Sequence, residues 1–169
     1  MAKGNKILEM PKKMMDKTIK IGDKEIKLNF GLQYACELDN YMEIEAAQAG
    51  IDNMVAIATS LIVRKFTVLV DLMSFALKGT DATDEDLQTY LTEQALTDEG
   101  LEPLFNLFFT NLVANPFMKS KINQNMTIIN QVVEMNELQK VAQEEQMSQI
   151  LKELNKEMEQ AKALIAEKE

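Results

Sequence analysis

The chain has 169 residues, 46% of them hydrophobic, so it carries enough apolar material for a real core in one ordinary domain or a smaller domain with an appendage. A formal charge of −9 and a pI of about 4.7 argue against general phosphate or nucleic-acid binding, since no local basic patch is large enough to overcome the overall repulsion. There is no histidine, and the single Cys36 excludes an internal disulfide and suits a reducing cytosol.

Residues 1–16 hold most of the nearest approach to a basic patch, Lys3, Lys6, Lys12, Lys13 and Lys17, and read as a flexible, solvated basic arm. MAKGNKILEMPKKMMDK has no continuous apolar core, so no export signal is expected. In KTIKIGDKEIKLNF, Ile19 and Ile21, then Ile26, Leu28 and Phe30, alternate with polar residues, the period-two pattern of strands buried on one face. Pairing Ile21 with Ile26 puts Asp23 and Lys24 at the turn of a hairpin, whose outer strand edge is left for assembly with another copy. A lone hairpin is marginal in water. The covering helix is expected directly after Gly31, which permits the change of direction, and LQYACELDNYMEIEAAQAG reads as one helix closing at Gly50, with Cys36 in its core face.

Asn53 to Lys78 is apolar almost all round and reads as one central helix around which the others pack, ended by Gly79. Its charges, Arg64, Lys65 and Asp71, argue against a membrane span. Thr83 starts a short helix with Asp84, Glu85 and Asp86 where a helix N-terminus favours negative charge. A second acidic start falls at Thr97, and LEPLFNLFFTNLV runs on to Asn115, where Pro116 stops it. Between Gly79 and Met118 there is no lysine or arginine, but there are Asp81, Asp84, Glu85, Asp86, Glu93, Asp98, Glu99 and Glu102. Helix-start chemistry accounts for many of them; the sharper reading is a docking face for a basic partner.

From Lys119 the sequence lacks glycine and proline and favours helix, and about fifty residues would extend about 75 Å. Met147, Leu151, Leu154, Met158, Ala161 and Ile165 recur with heptad spacing. Ile122, Met126, Ile129 and Val133 make an earlier seam, out of phase with the first across KVAQEEQ, where a stutter or a hinge is expected. Such a tail can bind a partner, self-associate or fold back on its own body. The expected organisation is therefore mainly α: a basic arm (1–16), a small β-hairpin on a helical bundle (17–118), and a long helical, coiled-coil-like tail (119–169).

Catalytic patterns are nearly absent, and no enzyme is expected. One cysteine cannot build a thiolate metal cage, the six glycines are scattered singly with no phosphate loop, and TDATDEDLQ lacks the glycine and terminal glutamate of a calcium loop. No cofactor or metal is expected. Of the twelve methionines, Met54 and Met73 read as core filling, whereas Met126, Met135, Met147 and Met158 give the long helix an adaptable surface.

IKIGDKEIKLNFGLQYACELDNYM, the helix ending FALKG, the acidic TDEDLQTYL and LEPLFNLFFTNLVANPF together resemble the small tail assembly chaperones of long-tailed bacteriophages, especially those of Gram-positive hosts. Such proteins often begin with a hairpin followed by Phe-Gly-Leu leading into a helix, here Phe30, Gly31 and Leu32, and the resemblance covers roughly residues 17–121. It implies a non-virion protein of the host cytoplasm that binds the long tape measure protein, keeps it soluble and recruits tail tube subunits. The long tail departs from many short members, which end soon after the stretch matching NPF. Candidate partner-binding residues are Leu104, Phe105, Phe108 and Phe109 on the body, where the phenylalanines are expected to be mostly core, and Met147, Leu151, Leu154 and Met158 on the tail. Self-association is expected, with neither nucleic acid nor membrane as partner. The competing reading is a cytosolic oligomerising coiled-coil adaptor with no chaperone activity.

Overall fold

The computed structural model describes residues 17–41 and 47–166, so the arm at 1–16 and the end of the tail lie outside the described residues. The alternating segment folds as an antiparallel hairpin of β1 (Thr18–Ile21) and β2 (Lys24–Lys27). Its register corrects the sequence reading by two residues: Ile19 pairs with Ile26 and Ile21 with Lys24, leaving Gly22 and Asp23 as the turn. A shift of two keeps every side chain on its own face, so alternation could not decide between the two pairings. Turn chemistry does. Gly22 takes φ +58 and Asp23 stays outside the left-handed region, the pattern of a two-residue type II′ loop with glycine first.

Ile19, Ile21 and Ile26 bury their side chains, and the helix packed along β1 is the one from Asp84 to Ala95 rather than the helix after Gly31. That first helix, α1 (Leu32–Asn40), ends well before Gly50: Tyr41 is already extended, with ψ 118. The remainder of the single helix expected there falls partly on 42–46, outside the described residues. Gly31 has an ordinary φ of −77; its small size matters instead, because an added Cβ would sit 3.0 Å from the Asn29 Oδ1 that accepts its N–H. Cys36 is exposed rather than core, because Tyr34, Ala35 and Leu38 define the buried face of α1 and Cys36 points away from it.

The apolar stretch from Asn53 is two helices, α2 (Asn53–Ile62) and α3 (Phe66–Leu77), not one. The break is a Schellman motif: the Arg64 N–H donates to the Leu61 carbonyl at 3.3 Å and the Lys65 N–H to the Ser60 carbonyl at 2.8 Å. Arg64 occupies the left-handed position, φ 62, that glycine usually fills. Its guanidinium donates to the Leu61 carbonyl (2.8 Å), to both oxygens of Glu102 (2.7 Å from Nε) and to Asn106 (3.0 Å), and lies 5.5 Å over the Phe105 ring. These bonds offset a backbone cost of about 1–2 kcal/mol. Removing the side chain therefore exposes the strain: Arg64→Gly should be more stable than Arg64→Ala by about 1 kcal/mol in urea unfolding, the reverse of the usual order at a helix end without positive φ.

Gly79, φ 77, closes α3 as expected. Thr83 caps α4 (Asp84–Ala95) with a full capping box: the Asp86 N–H donates to Thr83 Oγ1 at 3.1 Å and the Thr83 N–H to Asp86 Oδ2 at 2.9 Å. The Thr83 N–H first, and then the Lys24 ammonium at 3.0 Å, hold the Asp86 carboxyl below the usual aspartate range, fastening the hairpin turn to α4. Thr83→Ala should cost about 1 kcal/mol. Because the folded value lies below the unfolded one of about 4, the Asp86 contribution is complete above that pH and is lost as pH falls through the folded value. Asp86→Asn should accordingly flatten the acid limb of a stability-against-pH curve.

Helix α5 (Glu102–Ala114) starts later than Thr97, whose hydroxyl instead donates back to the Gln94 carbonyl. Pro103, in the first turn, was the truer start mark. Asn115 ends α5 and donates through Nδ2 to the Phe30 carbonyl at 3.0 Å, while the Asn29 N–H donates to the Ala76 carbonyl at 2.8 Å. The hairpin exit is thus tied to α5 and α3. α2 packs on α5, and Met54, Leu61, Leu69, Met73 and Phe108 are fully buried between the helices, so Met54 and Met73 fill the core as expected.

The last helix, α6, runs from Lys119 to Ala166. The chain divides after Val132 into two units. Ile122 and Ile129 are buried and Met126 partly so, placing these three members of the earlier seam in the core of the first unit, whereas Val133 belongs to the second. Helix continues unbroken through KVAQEEQ, so the change of seam phase takes place within helical backbone, as a stutter does, without a hinge.

Candidate functional site

The segment from Val133 to Ala166 lacks glycine and proline, and its acids precede lysines by three residues at Glu137 and Lys140, Glu153 and Lys156, and Glu159 and Lys162. Spacings of that kind stabilise an exposed helix by about 0.2–0.5 kcal/mol each. Every residue from 137 to 166 is exposed. Met147 (56%), Leu151 (53%), Leu154 (49%) and Met158 (54%) line up along one face, continued by Ile165. Ile150 and Leu164 widen the stripe beyond the strict heptad positions. Both lie three or four residues from seam members, a spacing in the sequence from which the width could have been read. Covering the exposed half of each large side chain is worth about 1 kcal/mol, so the stripe offers several kcal/mol to whatever lies on it. That gain needs no charged partner, since both signs of charge flank the stripe.

The four body candidates are placed differently. Leu104 (2%), Phe105 (4%) and Phe108 (0%) are buried in the core, and Phe109 is half-buried against it. Phe108 joins Phe30 and Tyr34 in a ring cluster with centroids 5.1 Å (Phe30 to Tyr34), 5.5 Å (Phe30 to Phe108) and 6.5 Å (Tyr34 to Phe108) apart. Burial pushes the Tyr34 hydroxyl far above its ordinary value, and neither that hydroxyl nor the side-chain amide of Asn111 has a hydrogen-bond partner among the described residues. These side chains hold the body together, as expected of the phenylalanines. The structure therefore gathers Met147, Leu151, Leu154 and Met158 on one open face and keeps Leu104, Phe105 and Phe108 away from solvent.

Among the described residues, no group of three or more cysteine or carboxylate side chains is placed to hold a metal, and no helix is long and apolar enough to cross a membrane. A hairpin-led helical body and a long helix with an open apolar stripe make a mainly α protein. A family model described as phage tail assembly chaperone protein (TAC) matches residues 18–127, from the first residue of β1 into α6. The match spans more than half of the 169 residues, and the chain belongs to that family. No curated protein and no solved structure matches the chain. The stripe at 147–165 lies beyond the matched residues.

Proposed function

We propose that this tail assembly chaperone binds the tape measure protein, shields its apolar faces and helps recruit tail tube subunits to it. The observation that carries the reading is the open stripe of Met147, Leu151, Leu154 and Met158 on a helix. A tape measure chain is long and amphipathic, and before the tube encloses it, its apolar faces associate with one another. A helix with a matching stripe covers those faces side by side, and tube subunits that bind the same faces displace it by mass action. Methionine at two of the four positions lets one stripe accept successive segments of different shape. No bond is made or broken in this scheme, so the protein acts as a binder rather than an enzyme, in the host cytoplasm and outside the finished virion.

Co-expression tests the reading. A tape measure fragment that collects in the pellet alone should move to the supernatant with this chain and elute with it. A fragment that stays in the pellet in both cases contradicts the proposal.

The heptad spacing from Met147 to Ile165 favours a second reading, an adaptor whose tail joins copies of itself. Light scattering on a chain ended after Val132, beyond the buried Ile122 and Ile129, separates the two. The adaptor falls to a monomer on losing the tail and leaves the fragment in the pellet even at full length.

A further inference from the structure

A groove of about 710 Å³ runs between α3 and α4. Phe66 and Val70 supply one wall at a spacing of one helical turn; Leu87 and Leu91 supply the other in the same way, and Leu96 closes its end. Phe66 is 50% exposed and Leu96 83%, so two large apolar side chains stand open beside apolar walls. The lining of α4, from Asp84 to Ala95, covers about three helical turns, which matches a short helix laid along it.

The charges that line the groove are of one sign. Asp71 and Asp84 are the charged residues that line it, and Asp71 already accepts the Tyr41 hydroxyl at 2.8 Å. Of the eight acids between Gly79 and Met118, Asp86 is paired with Lys24 and Glu102 with Arg64. Asp81, Asp84, Glu85, Glu93, Asp98 and Glu99 form no ion pair among the described residues, and that stretch of chain contains no lysine or arginine to neutralise them. Capping accounts for the acids in the first turn of α4, and Asp98 and Glu99 precede the start of α5, but Glu93 lies in the last turn of α4, where the helix dipole disfavours it. An apolar groove lined by two carboxylates and no cation attracts an apolar helical face flanked by cations and repels one flanked by anions.

We infer that the α3–α4 groove is a second docking surface, independent of the tail stripe, and that its occupant is a basic amphipathic helix of a partner protein. Apolar side chains of that helix lie between Phe66, Val70, Leu87 and Leu91, and its lysines or arginines face Asp71, Asp84 and the acids beyond.

The test uses the full chain and two synthetic helices of about twenty residues with the same leucine stripe, one flanked by lysines and one by glutamates. Fluorescence anisotropy should show the lysine peptide binding at least about tenfold more tightly. A net charge of −9 draws cations to the whole surface, so groove substitutions decide. Phe66→Ser with Leu96→Ser changes no charge, touches two exposed side chains, and should lower affinity for the lysine peptide about tenfold with an unchanged circular dichroism spectrum. Gln88→Lys, at the exposed mouth, should do the same, and both losses should persist in a chain that also carries Leu151→Lys and Leu154→Lys, whose tail stripe can no longer take the peptide. Equal binding of both peptides, or binding indifferent to the groove substitutions, overturns the inference. So does binding that emerges only in a Lys12→Glu, Lys13→Glu chain, which gives the groove to the protein's own first residues. A drop in oligomer mass on Phe66→Ser with Leu96→Ser overturns it too, by giving the groove to a second copy.

Discussion

Phe108→Ala lowers the unfolding free energy by about 3–5 kcal/mol in urea denaturation, the largest effect expected from a single substitution in the body. The ring is fully buried and stacks edge-on to Phe30, whose carbonyl is also held by Asn115. Losing it removes the transfer free energy of the ring and leaves a cavity beside Phe30 at the hairpin exit and Tyr34 of α1. The hairpin exit is pinned by backbone and side-chain hydrogen bonds at Asn29 and Asn115, so it cannot close the space by sliding. Since a domain of this kind has only about 5–15 kcal/mol in total, the variant sits near its unfolding threshold. The midpoint should fall while the denaturant slope stays constant. Phe109→Ala, one residue on but half-buried, should cost clearly less.

Leu151→Lys together with Leu154→Lys should abolish capture of a tape measure fragment while leaving the thermal midpoint of the body unchanged. Each leucine is about half exposed, so neither substitution opens a cavity, and lysine matches leucine closely in helix propensity. Against a bound helix the same changes remove apolar contact and require two ammonium groups to be covered, together at least about 3 kcal/mol, or roughly a hundredfold in affinity. Glu153→Lys, on the polar flank of the same helix, serves as the control for charge alone and should retain capture. A double variant that still brings the fragment into the supernatant takes the tail out of the mechanism.

Which parts of this arrangement could be read from the sequence follows from the range of the forces involved. Alternation of Ile19, Ile21, Ile26 and Leu28 with lysines and asparagine is local and fixed the strands and their buried face, whereas the pairing depended on a glycine-aspartate turn that alternation ignores. The stripe from Met147 to Ile165 was legible because a solvated helix obeys spacing alone. The break at Arg64 was not legible. In a segment apolar on every side no face changes where one helix ends and the next begins, and the residue that stabilises the turn, Glu102, is 38 positions away in sequence. The same blindness hid the α3–α4 groove, which exists only once two helices separated by the Gly79 turn lie together. Thr97 misled because a threonine before acids resembles a cap; its hydroxyl had a nearer acceptor in Gln94.

Hydrogen exchange on the full chain, with and without a tape measure fragment, most directly tests whether the stripe shields another protein's helices. Amides of α6 around Met147, Leu151, Leu154 and Met158 are expected to exchange quickly alone, since this helix is exposed, and to slow by about tenfold or more in the complex. A complex that forms while those amides exchange at the free rate would contradict the account and move the binding surface elsewhere on the molecule.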